Sequence, residues 1–200
     1  MFVEWITYSL RPGASEAALA GLEAAAGETL LGCWLSVLGS EPRIHALHRA
    51  GPSSDHEAAR RAAMDNAGPL AIGHLCAGIS RDIFATLPCL PEIVPGAFGS
   101  IYEIRSYDLQ AAEALALAHE GWANVIDVRL AIAPITTVMH SVGGLVPRLV
   151  HIYPYRDLAH RAELRDLAIA TGKWPPRGGA DRNRVMATEI AVPARFSPLH

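Results

Sequence analysis

The chain repeats itself, and that repetition limits its fold more than anything else in the sequence. Phe2–Leu10 (FVEWITYSL) aligns with Ile101–Leu109 (IYEIRSYDL), placing Glu4 over Glu103, Tyr8 over Tyr107 and Leu10 over Leu109. Ser36–Gly39 aligns with Ser141–Gly144, and Pro42-Arg43 with Pro147-Arg148. With one inserted residue, His45 falls on His151, and Phe84-Ala85-Thr86 falls on Met186-Ala187-Thr188. Matches that recur in the same order point to one supersecondary unit used twice.

Periodicity identifies the unit. Residues 2–10 alternate as a strand does and end in the turn Arg11-Pro12-Gly13. A helix follows, with Ser15 as its expected cap, Ala18, Leu19, Leu22 and Ala26 at helical spacing, and Gly32 as its stop. Strands are expected over Cys33–Leu38 and Arg43–His48, a helix from Pro52 through Met64, and a strand over Arg81–Leu87. Strand, helix, strand, strand, helix, strand is the ferredoxin-like unit. The predicted class is α+β, with two tandem βαββαβ units at residues 1–95 and 96–200 and a proline-rich seam at Pro88–Pro95. Two such units can bury their bare sheet faces against each other, so one chain can close an α+β barrel without exposed strand edges.

Composition excludes several classes of function. A net charge of −3 and a pI near 6.3 leave no basic footprint for nucleic acid. No uncharged apolar run reaches the ~18 residues that a bilayer span requires, and MFVEWITYSL is not a secretory leader. Cys33, Cys76 and Cys89 are odd in number and lack CxxC spacing, which fits a reducing cytoplasm.

Three segments of the second unit resemble the NIPSNAP family: YEIRSYDL (102–109), VGGLVPRLVHIYPYRDLAHRAELR (142–165) and Trp174-Pro175-Pro176. The resemblance implies the dimeric α+β barrel superfamily, which includes cofactor-free monooxygenases, haem enzymes and isomerases. It also implies links to protein interaction, as in eukaryotic members of the family. The chain departs from the family pattern in three places. Tyr153 stands where the family has Trp. Ile6 stands opposite Arg105 in the repeat alignment. The strand His45-Ala46-Leu47-His48 has lost the aromatic residues of its counterpart. A polar site is therefore expected in the second unit.

Strand alternation groups Glu103, Arg105 and Tyr107 on one face of their strand, and His151, Tyr153 and Tyr155 on one face of theirs. The expectation is that Tyr102, Ile104, Val150 and Ile152 pack beneath the helices, while the polar set points into the barrel. His140 joins it, and Glu4, Tyr8 and His45 are its counterparts in the first unit. Two readings stand side by side. In one, the polar set is a structural network of paired charges in a non-catalytic interaction or assembly domain, with Trp174 in a rigid connector. In the other, it lines a pocket for a small-molecule ligand, with Trp174 capping one end.

For a pocket, the superfamily's chemistry implies a cofactor-independent oxygenase or isomerase acting on a polyketide-like substrate. His151 or His140 would be the base. Arg105 would hold a carboxylate, enolate or phenolate, Glu103 and Tyr107 would complete the polar wall, and Tyr153 and Tyr155 would bond or stack. No cofactor is expected. Two histidines do not make a metal site, and haem on a lone histidine is the weaker alternative. No nucleic-acid or membrane partner is expected, and dimerisation through outer strands or helices is open.

Overall fold

The computed structural model describes residues 1–39, 42–51, 71–111, 113–143, 147–176 and 179–200. The helix expected over Pro52–Met64 lies outside the described residues. The elements are β1 (Phe2–Leu10), α1 (Ser15–Ala24), β2 (Leu30–Leu38), β3 (Arg43–Arg49), β4 (Cys76–Thr86), β5 (Ile101–Leu109), α2 (Glu113–Ala123), α3 (Ile126–Ile132), β6 (Thr137–Ser141), β7 (Arg148–Tyr155), α4 (Leu158–Ala170) and β8 (Asn183–Pro193). Two details differ from expectation. Ser15 is the first helical residue rather than a side-chain cap, and α1 ends at Ala24. Gly32 lies inside β2, where a Cβ would come within 2.2 Å of the Trp34 ring. Its small size serves strand packing rather than a helix end.

All eight strands close into one antiparallel barrel in the order β1-β3-β2-β8-β5-β7-β6-β4. Each half of the chain contributes four contiguous strands, β4-β1-β3-β2 and β6-β7-β5-β8. The halves join where β2 meets β8 and where β4 meets β6. This is the ferredoxin-like strand order in each half, and closure leaves no unpaired sheet edge.

The barrel interior is apolar and filled over much of its length. Val3, Trp5, Trp34, Leu47, Phe84, Tyr102, Ile104, Met139, Val150 and Ile152 form one buried cluster drawn from seven strands. Ala191 of β8 completes it. The same strands become polar at one end of the interior. There Glu189 accepts hydrogen bonds from Arg43 at 2.7 Å and pairs with His45 at 3.0 Å, and Arg148 bonds Asp82 at 2.8 Å.

This arrangement reverses the expected assignment of faces. Tyr102, Ile104, Val150 and Ile152 point into the barrel, not under the helices. Tyr153 and Tyr155 pack with Trp122, Ile126 and Leu164 of α2, α3 and α4, so the face that also carries Glu103, Arg105, Tyr107 and His151 is the outer one. In the first half His45 is inner, stacked on Trp5 with centroids 5.0 Å apart. Tyr8 instead packs in the outer cluster beside α1, and Glu4 shares its face. The physical reason is that a closed barrel seals its interior from water on every side, so the most apolar face of each strand goes there. The layer beneath the helices tolerates charge because helix-borne side chains can reach in to neutralise it.

Candidate active site

Cross-strand register assembles the site. Arg105 of β5 sits directly opposite His151 of β7, Glu103 opposite Tyr153, and Tyr107 opposite Leu149. Residues facing each other in this way emerge side by side, with Cβ atoms ~5 Å apart.

The deepest member is Glu103, which is fully buried. Its carboxylate accepts from Arg105 Nη2 at 2.7 Å, from Arg161 Nε at 3.0 Å, and from Arg161 Nη2. Burial pushes this carboxyl up, but the hydrogen bonds and charges of Arg161 and Arg105 outweigh it and hold the group below the usual carboxylate range. Arg161 comes from α4, whose start is fixed by Asp157 accepting from the His160 backbone N–H at 2.7 Å. In the sequence, Arg161 stands between Arg156 and Arg165 among acidic neighbours and reads as part of a solvated helix face. Its spacing from the buried Leu164 and Ala168 carries the missed signal, because positions i, i+3 and i+7 share one side of a helix.

An aromatic layer lies above this pair of charges. The guanidinium groups of Arg105 and Arg129 each lie over the Tyr153 ring, 5.2 Å from its centroid. Arg129, on α3, also lies over Trp174 at 5.6 Å and donates to the Ala133 carbonyl at 3.2 Å. Trp174 meets Trp122 of α2 edge-on at 5.1 Å, and Trp122 meets the His151 ring at 5.3 Å. The Tyr107 ring lies 4.8 Å from His151 on another side. Neither Trp122 nor Arg129 stood out in the sequence. Ala114, Ala118 and Trp122 at four-residue spacing mark the buried stripe of α2.

Over this layer opens a cavity of about 300 Å³, bounded by β5, β7, α2, α4, the segment after α4 and the start of β8. Arg105, Tyr107 and His151 form its floor, Trp122 and Trp174 its wall, and Arg165, Arg182 and Met186 its rim. Its lining holds three arginines and, among the described residues, no carboxylate. Four of the expected residues (Arg105, Tyr107, His151 and Trp174) thus share the cavity. Glu103, Tyr153 and Tyr155 sit beside it within the packed layer. His140 is elsewhere, with its ring 5.0 Å from that of His119 on α2 and its Nδ1 3.2 Å from the Ser141 carbonyl.

Burial first and the Arg105 charge second depress the His151 imidazole to about 3, so it is neutral at pH 7. The Tyr153 hydroxyl is raised by burial and stays protonated. Two polar atoms on the cavity floor are buried without a hydrogen-bond partner: Arg105 Nε and His151 Nε2. Among the described residues no three His, Cys, Asp or Glu side chains group as a metal site, and no helix is long and apolar enough to cross a membrane.

Two of the solved structures that match nearly end to end, at low identity, show the shared fold. One is a candidate monooxygenase from Lactobacillus acidophilus NCFM, 11% identical, covering 96% of this chain and 93% of that one with a TM-score of 0.62. The other is an anthrone oxidase-like protein, 12% identical, covering 98% and 93% with a TM-score of 0.59. The Agrobacterium tumefaciens protein Atu4242 is 30% identical over 50% of this chain and 99% of its own, with a TM-score of 0.43. Another structure of that protein is described as a NIPSNAP family protein with unknown function. No curated protein sequence matches the chain. Residues 102–198, from β5 through β8 and including the whole cavity floor, match the NIPSNAP family, and the chain belongs to that family.

Proposed function

We propose that the protein binds a small planar organic molecule carrying an ionised oxygen in the cavity of its second half. We further propose that it acts on this molecule through an enolate or phenolate, as a cofactor-independent oxygenase or isomerase does. The observation that carries this reading is the lining itself, with aromatic walls and three arginines without a carboxylate among the described residues. A mostly apolar concavity with a few convergent polar groups is the usual form of a small-molecule site. Its volume, about 300 Å³, is at the low end for such sites and suits a compact ring system.

The same lining narrows the substrate. An imidazole depressed to about 3 is too weak a base to take a proton from carbon, and His140 stands outside the cavity. The substrate therefore arrives ionised or gives its proton to water. Acidic enols, phenols and hydroxyquinones meet that requirement, and so does the polyketide-like class. The names of the fold neighbours, an oxidase-like protein among them, favour including anthrones in any screen.

The structural-network reading retains one part of the site. Glu103 is fully buried with both carboxylate oxygens paired, Oε2 to Arg105 and Oε1 to Arg161, and has nothing left to offer a ligand. The division runs through Arg105, which pairs with Glu103 on one side and borders the cavity on the other.

The test is a panel of aromatic carboxylates, hydroxyquinones and anthrones, read by tryptophan fluorescence and melting temperature, with dioxygen uptake followed in parallel. Trp122 and Trp174 report directly on the cavity. Ionised members are expected to quench fluorescence and raise the melting temperature at one ligand per chain. If no member changes either signal, the cavity is not a site for this class.

A further inference from the structure

We infer that Arg105 Nε–H and His151 Nε2–H form a two-point clamp for one anionic oxygen of the ligand, with His151 acting as a neutral donor and not as a base. This rests on the cavity being a ligand site, and it adds the group that is recognised and the atoms that recognise it.

The geometry leads there in three steps. Arg105 and His151 are direct cross-strand partners on the cavity floor, so their side chains stand next to each other. Arg105 commits Nη2 to Glu103, while its Nε is buried and unpartnered. A guanidinium nitrogen can only donate, so this group awaits an acceptor.

The third step fixes the imidazole. His151 Nδ1 lies 3.3 Å from the Tyr153 hydroxyl, the one bonding partner of that hydroxyl among the described residues. A phenol has a single proton to give. If the imidazole nitrogen donated instead, the buried Tyr153 proton would have no acceptor. The hydrogen-bond count therefore assigns Tyr153 O–H as donor to Nδ1 and puts the ring proton on Nε2. Nε2 is buried and unpartnered, and Tyr153 holds the opposite edge of the ring away from the cavity.

Two buried, unpartnered donors on cross-strand partners that line one cavity form the kind of arrangement that stabilises an oxyanion. Burial first and the Arg105 charge second keep the imidazole neutral. The charged and titratable groups facing it are Arg105, Tyr107 and Tyr153 from the sheet, and Arg165 and Arg182 from the cavity rim. The arginines can only donate, and neither tyrosine oxygen lies within hydrogen-bonding reach of Nε2.

Two probes separate the clamp from mere occupancy of the cavity. One is 2-hydroxy-1,4-naphthoquinone, an enol ionised at neutral pH. The other is 1,4-naphthoquinone, which has the same rings and no acid. Wild type is expected to bind the ionised quinone at least about tenfold more tightly, the scale of a hydrogen bond to a charged group. His151→Phe should lose about tenfold for the ionised probe and leave the neutral one unchanged. His151→Gln, whose amide N–H reaches the Nε2 position, should stay within about threefold of wild type. Equal binding of the two quinones, with no effect of His151→Phe, would overturn the clamp and leave the ligand site standing. Binding of neither would remove the site and the clamp together. Independently of any ligand, nitrogen-15 histidine spectra at pH 7 should show His151 as the Nε2–H tautomer, and an Nδ1–H tautomer would contradict the assignment.

Discussion

The two halves of the barrel place different residues at the same register. In the first half Glu4 faces His48, Ile6 faces Ala46 and Tyr8 faces Ile44. In the second, Glu103 faces Tyr153, Arg105 faces His151 and Tyr107 faces Leu149. Beside α1 the described residues line a space of about 10 Å³, whereas beneath α2 and α4 a cavity of about 300 Å³ opens. The carboxylates differ in the same sense. Glu4 pairs with Arg81 of the neighbouring strand, while Glu103 is fully buried between an arginine of its own strand and one from a helix. The difference teaches that the scaffold supplies a register and a helical cover, and that one residue pair decides what lies between them. Isoleucine opposite alanine asks for no counter-ion. Arginine opposite histidine demands a counter-ion on one side and leaves donors spare on the other.

The largest test of that contrast is stability. Glu103→Ala strands two guanidinium groups in a buried layer and is expected to cost ~3–5 kcal/mol. Glu4→Ala loses one partly exposed pair and should cost about 1 kcal/mol or less. Chemical denaturation of both variants measures the gap, and equal costs would break the comparison.

Acid comes next. The His151 folded pKa lies near 3, below the ordinary 6.5. Above pH 6.5 both folded and unfolded chains hold it neutral, and its contribution is constant. As pH falls below 6.5 the unfolded chain takes up a proton that the folded chain refuses, so stability drops by up to ~1.4 kcal/mol per pH unit until about pH 3. Between pH 7 and pH 5 wild type should therefore lose ~2 kcal/mol more than His151→Phe. His48 is also depressed, mainly by burial, but it contributes equally to both proteins and cancels. Parallel losses in wild type and variant would mean that His151 titrates normally.

Much of the fold was legible because strand signals are local. Phe2–Leu10 and Ile101–Leu109 begin and end as their alternation predicts. Alternation also sorted each strand into the correct two sets of side chains. It could not say which set is inner, since that depends on closure of the barrel, a property of eight strands at once. Pairing His45 with His151 by inserting one residue failed for a related reason. A shift of one residue moves a side chain through the sheet, so His45 is inner and His151 outer. The floor of the site came from β5 and β7, where residue types are telling. Arg161, Arg129 and Trp122 were hidden because their roles depend on where a helix lands.

The proposed site lies in the second half, on the outer face of β5 and β7. Diffraction from crystals soaked in 2-hydroxy-1,4-naphthoquinone tests it most directly. The account predicts one bound molecule per chain between that face and α2 and α4, with its ionised oxygen at Arg105 Nε and His151 Nε2. A molecule inside the barrel, or beside α1, would contradict it.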